Sequence, residues 1–149
     1  LVFELTGLFC LYPVFSQDYG PAYGLWLSAF HSVSAFNNAG FSLFEDNLIG
    51  YALNPWINAT ITALVILGGI GYQVIMEFLT WLRNRIQGNR CRGLFSLNFK
   101  VVTSTTAVLL VIGTVAFFAI EYQNPDTLGP VTPQYKLLIA WFQSVIART

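Results

Sequence analysis

The segment Phe36-Asn37-Asn38-Ala39-Gly40-Phe41-Ser42 sets two carboxamides and a glycine between bulky neighbours. Gly40 has no Cβ, so it can take positive φ and turn its carbonyl toward an axis that other chains or repeats approach closely. Rings of such carbonyls replace the hydration shell of an ion. A plainer alternative uses the same residues, an Asn-Gly cap that merely closes a short helix. Covalent chemistry is poorly served by this chain. His31 is its one histidine, no nucleophile lies near a His and an acid, and no His-Glu spacing suits a metal. Gly68, Gly69 and Gly71 fall in an uncharged stretch with no preceding strand, so close helix packing is expected there in place of a phosphate loop.

The solvent these residues need is set by composition. Of 149 residues, 55% are hydrophobic and 9% charged, against about 25% charged in ordinary soluble chains. Seven basic and seven acidic residues leave no net charge, which removes the basic excess that nucleic acid binding requires and the acidic excess of a disordered chain. Cys10 and Cys91 form no paired-cysteine motif and are expected as free thiols.

Charges are absent from residues 47–76 and 101–120, and from 19–44 apart from His31. A bilayer core about 30 Å thick takes roughly 20 helical residues. Trp56 to Leu82, with a tryptophan near each end, and Phe99 to Tyr122 meet that length and are expected as spanning helices. The run LVFELTGLFCLY before Pro13 reads as the end of a third span in a chain cut from a longer protein. Arg83, Arg85, Arg90, Arg92 and Lys100 lie between or beside the two full spans, which places that loop in the cytoplasm. The flanks, with Glu4, Asp18, Glu45, Asp46, Glu121 and Asp126 and no Lys or Arg, belong outside. An anionic-lipid or nucleic-acid patch is the rival account of the basic loop, and topology explains it more simply.

Ala22 to Ala35 and Gln134 to Ala147 are too short to cross, and they resemble each other. A shift of 112 residues pairs Pro21 with Pro133, Tyr23 with Tyr135, Leu25 with Leu137, Phe30 with Phe142, Ser32 with Ser144, Val33 with Val145 and Ala35 with Ala147. The repeat is a spanning helix, an outer loop, a short helix opened by proline, a polar turn, a second spanning helix and a basic inner loop. A helix that enters and leaves on the same side must return through irregular backbone, tolerated at membrane depth only where protein buries it or water lines it. The negative end of the Ala22 to Ala35 helix points at the Gly40 turn and favours a cation. These features point to a monovalent-cation pathway, with a non-conducting membrane scaffold as the rival.

FHSVSAFNNAGFS at Phe30 to Ser42 resembles the second pore loop of the Trk/Ktr/HKT potassium transporter superfamily, bacterial Ktr-type or Trk-type membrane subunits above all. FQSVIART at residues 142–149 resembles the start of the third pore loop, and GGIGYQVIMEF at Gly68 to Phe78 the inner helix after the second filter. The resemblance implies an all-α, polytopic fold of helix-pore-helix repeats with re-entrant pore loops in the cell membrane. Residues 1–55 would hold the end of an outer helix with a pore helix and filter, 56–82 an inner helix, and 83–98 a basic cytoplasmic loop. Residues 99–149 would hold the next outer helix and a pore helix truncated before its filter. It implies Gly40 as filter glycine, with the carbonyls of Asn37, Asn38 and Ala39 lining the site. It also implies potassium, or sodium, as the transported ion, no cofactor in this chain, a homodimer, and cytosolic nucleotide-binding regulatory subunits near the basic loop.

Among other residues, His31 is expected to be a packing imidazole with a local partner. Glu4 is either a polar-network residue within the membrane or a boundary residue. Arg148 is expected in a structural role beside the pore, and Thr103, Ser104, Thr105 and Thr106 to back-bond to their own helix. The Asn58-Ala59-Thr60 sequon, at a membrane entry point, is expected to go unused.

Overall fold

A computed structural model describes residues 1–87, 95–122, 124 and 132–149. The expectations for Arg90, Cys91, Arg92 and Asp126 lie outside the described residues. The fold is all-helical, with no strand among the described residues: α1 (Val2–Tyr19), α2 (Pro21–Phe36), α3 (Pro55–Ile70), α4 (Tyr72–Ile86), α5 (Leu97–Glu121) and α6 (Pro133–Arg148), with one short 3-10 turn at Ile49–Tyr51. Proline opens α2, α3 and α6, at the first helical position where its missing N–H costs nothing. Asn54 caps α3 by accepting from the Trp56 and Ile57 amides, and Ser96 caps α5 by accepting from Phe99.

α5, at 25 residues, is the one helix among the described residues long and apolar enough to cross a membrane. It exposes Val108, Val111, Ile112 and Val115, a surface suited to lipid or neighbouring helices. The expectation of one continuous helix over Trp56 to Leu82 is corrected. The chain breaks at Gly71 into α3 and α4, bent by 103°. Gly71 has φ 93°, ψ 149°, a conformation closed to residues with a Cβ, so the third glycine of GGIG turns the chain and does not pack it. The expected helix end before Pro13 is also corrected, because α1 runs through Pro13 to Tyr19. One turn before Pro13, the Cys10 carbonyl accepts the Trp56 indole N–H at 2.7 Å, which ties α1 to α3.

α3 is the hub, packed against α1, α2 and α6. Its Ile57, Ile61, Leu64 and Val65 join Leu11, Phe15, Leu27, Leu110 and Val145 in the core. The two outer-helix and short-helix pairs share one contact. Ser32 of α2 sits against Gly7 of α1 and donates to the Glu4 carbonyl at 2.6 Å. Ser144 of α6 sits against Gly113 of α5 and donates to the Leu110 carbonyl at 2.9 Å. In each pair the glycine removes the side chain that would hold the short helix away, and the serine hydroxyl fills the gap with a hydrogen bond.

Candidate functional site

α2 ends at Phe36, and the next four residues make a tight turn. Asn37 (φ −83°, ψ 3°) closes the helix, and its N–H meets the Val33 carbonyl. Asn38 then takes φ 53° and Gly40 φ 72°. The Asn38 N–H donates to Ala35 O at 3.1 Å and the Ala39 N–H to Ser34 O at 2.9 Å, a left-handed helix closure that uses the Ser34 and Ala35 carbonyls. Past the turn, the Phe41 carbonyl is taken by the Ser34 hydroxyl at 2.8 Å. Among the described residues, no donor is recorded for the carbonyls of Asn37, Asn38, Ala39 or Gly40. The four oxygens lie between the Phe36 carbonyl, which packs against Gly68, and the occupied Phe41 carbonyl, an arrangement able to ligate a cation.

Side chains hold this turn from three sides. The Asn37 amide donates to Glu4 Oε1 at 3.2 Å and to Val33 O, so Glu4 belongs to the polar network. The Asn38 amide, in the orientation its neighbours require, donates to Val65 O and accepts from Gly69 N–H, each at 3.1 Å. Val65 and Gly69 are one rung of the α3 ladder, so Asn38 inserts into that helix two residues before it breaks at Gly71. On the far limb, His31 is 2% exposed, with Nδ1 against Leu27 O at 2.8 Å and Nε2 against Ser42 Oγ at 3.1 Å. Ser42 Oγ also accepts from the Phe44 N–H, and Phe44 stacks on the imidazole at 4.9 Å. His31 therefore has the expected local partner and, in addition, a tether to the turn.

The loop beyond is pinned to α3 by Asn58. Its buried amide donates to the carbonyls of Tyr51, Ala52 and Asn54, which leaves the sequon asparagine in use within the fold. The Tyr51 hydroxyl donates to Asp18 at 2.6 Å; burial, and after it the Asp18 bond and charge, push the phenol above its ordinary range.

Both short helices converge on the same step of α3. A Cβ on Gly68 would run into the Phe36 carbonyl at the end of α2, and one on Gly69 into the Arg148 guanidinium at the end of α6. Arg148 donates to Thr106 Oγ1 at 2.6 Å. Thr106 therefore serves the other helix, contrary to the expectation for the whole hydroxyl cluster, in which Ser104 alone back-bonds, to Val101 O. The C-terminal end of α2, with its partial negative charge, thus lies beside the open carbonyls. Between the turn, the 43–54 loop, α3 and α6 lies a cavity of about 530 Å³ lined by Asn38, Gly40, Ser42, Asn58, Gln143 and Thr149 among others.

The structure gathers Asn37, Asn38, Ala39 and Gly40 into this one turn. Sequence reasoning missed its supports, Ser34, Asn58 and Thr106. The spacing of Ser32 and Ser34 on one helix was a usable signal, but their partners lie far along the chain. Replacing Asn38 by Ala is expected to lower the melting temperature of the detergent-solubilised protein by a few degrees, through loss of two hydrogen bonds worth about 1 kcal/mol each. Asn38→Asp is expected to lower it further, because a carboxylate oxygen, carrying negative charge, would be set against Val65 O where Ala leaves only a gap.

The TrkH family, described as cation transport protein, matches residues 1–149. The chain is 43% identical over 132 residues to Ktr system potassium uptake protein B of Bacillus subtilis strain 168, covering 89% of this chain and 28% of that protein. It is 36% identical over 149 residues to Ktr system potassium uptake protein B of Vibrio alginolyticus, and 36% identical over 149 residues to potassium/sodium uptake protein NtpJ of Enterococcus hirae. Each of these two alignments covers 100% of this chain and 31% of the relative, so the chain spans about three tenths of the curated relatives it matches.

Proposed function

From the premise that this chain belongs to the TrkH family of cation transport proteins, we propose that it is a segment of the membrane subunit of a monovalent-cation uptake system, with potassium as the principal ion. Residues 1–55 contribute an outer helix, a pore helix and a filter turn. Residues 56–82 form the inner segment, 83–98 the cytoplasmic loop, and 99–149 the outer and pore helices of the next repeat. The ion sheds part of its hydration shell to the carbonyls of Asn37, Asn38, Ala39 and Gly40, and no covalent bond is made or broken. The observation that carries the reading is the run of four carbonyls without donors at the C-terminal end of a helix too short to span.

The electrostatics favour this sign of charge. The C-terminal end of α2 supplies partial negative charge, and carbonyl oxygens present dipoles without a net charge that would hold the ion too tightly to leave. Names of relatives support potassium, and NtpJ carries both potassium and sodium in its name. The proposal extends to a multi-pass subunit of the cell membrane that forms a homodimer and meets cytosolic nucleotide-binding regulatory subunits at the 83–98 loop. Expression of the full-length subunit in uptake-deficient cells is expected to restore growth at low potassium. Membrane expression at normal abundance without restored growth or flux would favour a scaffold.

A further inference from the structure

One face of α2 grips the chain on both sides of Gly40. Ser34, only 8% exposed, takes the Ala39 N–H on its carbonyl at 2.9 Å and donates its hydroxyl to the Phe41 carbonyl at 2.8 Å. The residues before and after the glycine are thus fastened to one and the same residue. Glycine has more backbone freedom than any other residue, so the direction of the Gly40 carbonyl is set by how firmly those two neighbours are held.

His31, one turn earlier on the same face, holds the next residue. Its Nδ1 lies 2.8 Å from the Leu27 carbonyl, which can only accept, so Nδ1 carries the proton. The rings of Phe15, Phe30 and Phe44 surround the imidazole. Among the described residues no carboxylate bonds to it, so it is neutral and Nε2 is an acceptor. The Ser42 hydroxyl therefore donates to Nε2 at 3.1 Å, and its oxygen takes the Phe44 N–H at 3.1 Å. Every hydrogen bond in this clasp joins residues between Leu27 and Phe44, so it is complete within one short stretch of the subunit. The shift that relates the two short helices pairs Ser34 with Ile146, which has no hydroxyl, so the serine half of the clasp is absent from the α6 repeat.

We propose that Ser34, with His31 beside it, is a positioning residue that sets the ion preference of the Gly40 turn. The inference rests on the transport reading above and adds to it which side chains give the turn its selectivity. Carbonyl groups discriminate between cations through the size and arrangement of the cage they form. A limb released from Ser34 lets the Gly40 oxygen follow a smaller ion inward, which favours sodium at the expense of potassium. Neither Ser34 nor His31 needs to touch the ion for this effect.

The test measures initial uptake of potassium and of sodium over a concentration series, by the full-length subunit in uptake-deficient cells with surface abundance matched. Ser34→Ala is expected to lower the potassium-to-sodium preference by about fivefold, the weight of one hydrogen bond in an equilibrium. The change is expected in the half-saturating concentrations, with the maximal rate little altered. Ser34→Thr, which keeps the hydroxyl, is expected to retain the parent's preference. His31→Leu, which removes the acceptor for Ser42, is expected to shift the preference in the same direction, and it carries the test if Ser34→Ala does not reach the membrane. An unchanged preference in Ser34→Ala, or in His31→Leu where that variant carries the test, overturns the proposal. So does an equal loss in Ser34→Thr and Ser34→Ala, which assigns the effect to packing, and so does absence of both Ser34→Ala and His31→Leu from the membrane, which makes the clasp a requirement of folding. Any of these with uptake by the parent intact condemns this inference alone, whereas a parent that reaches the membrane and takes up no cation condemns the transport reading.

Discussion

Gly68→Ala is expected to abolish cation uptake by the full-length subunit and to cut its yield in membranes severely. The added Cβ would overlap the Phe36 carbonyl oxygen, and the Asn38 side chain and the Phe36 carbonyl carbon lie just behind it. The obstacle is backbone at the end of α2 and cannot rotate away. Either α2 or α3 must shift by about a bond length, in a region where α3 also packs α1 and α6. Overpacking a tight core costs about 1–3 kcal/mol even where side chains can yield, and here the cost is at the upper end or above it. The shift would also move the turn that follows Phe36 and pull Asn38 from Val65 and Gly69. Membrane abundance by immunoblot and cation flux normalised to it are the measurements. Gly113→Ala makes a useful comparison, because its Cβ meets chiefly the Ser144 side chain, and a milder loss is expected.

The second large effect is expected at Gly40, for a different reason. A Cβ there meets nothing within 4 Å, so space is not the constraint. The constraint is φ 72°, which costs a residue with a Cβ about 1–2 kcal/mol. That is too little to unfold a helix bundle and enough to tilt the peptide planes on either side. Since about 1.4 kcal/mol corresponds to a factor of ten in an equilibrium constant, Gly40→Ser is expected to weaken ion affinity or preference by about tenfold with normal membrane expression. Growth across a potassium series should show the half-saturating concentration rise by that order.

Much of the helical frame was legible because its signals are local. Pro21 and Pro133 mark the first positions of the two short helices, and the end of the first, Phe36, lies within a residue of the expected Ala35. α5 follows from an uncharged run of the right length. The bend at Gly71 was hidden because glycines in an apolar stretch also serve close packing, as Gly68 and Gly69 do, and only φ separates the roles. Pro13 misled in the other direction, since the Trp56 indole at Cys10 supports a helix that continues past it. For the site, the Asn-Asn-Ala-Gly turn stood out by composition. Its supports did not, because Asn38 with Val65 and Gly69, His31 with Ser42 and Arg148 with Thr106 depend on partners that only tertiary structure brings near. The 112-residue shift relates the short helices, but six extra residues in the second outer loop displace the outer helices, so the matching roles of Gly7 and Gly113 emerged from packing alone.

The central claim is that backbone oxygens around Gly40 coordinate the transported ion. Its most direct test is potassium and sodium uptake by the full-length subunit and its Gly40→Ser variant, side by side in uptake-deficient cells with surface abundance matched. The account predicts potassium-preferring uptake by the parent and a variant whose flux or potassium-to-sodium preference falls by about tenfold. Identical uptake and preference in the two proteins, or no uptake by either at normal abundance, would contradict it.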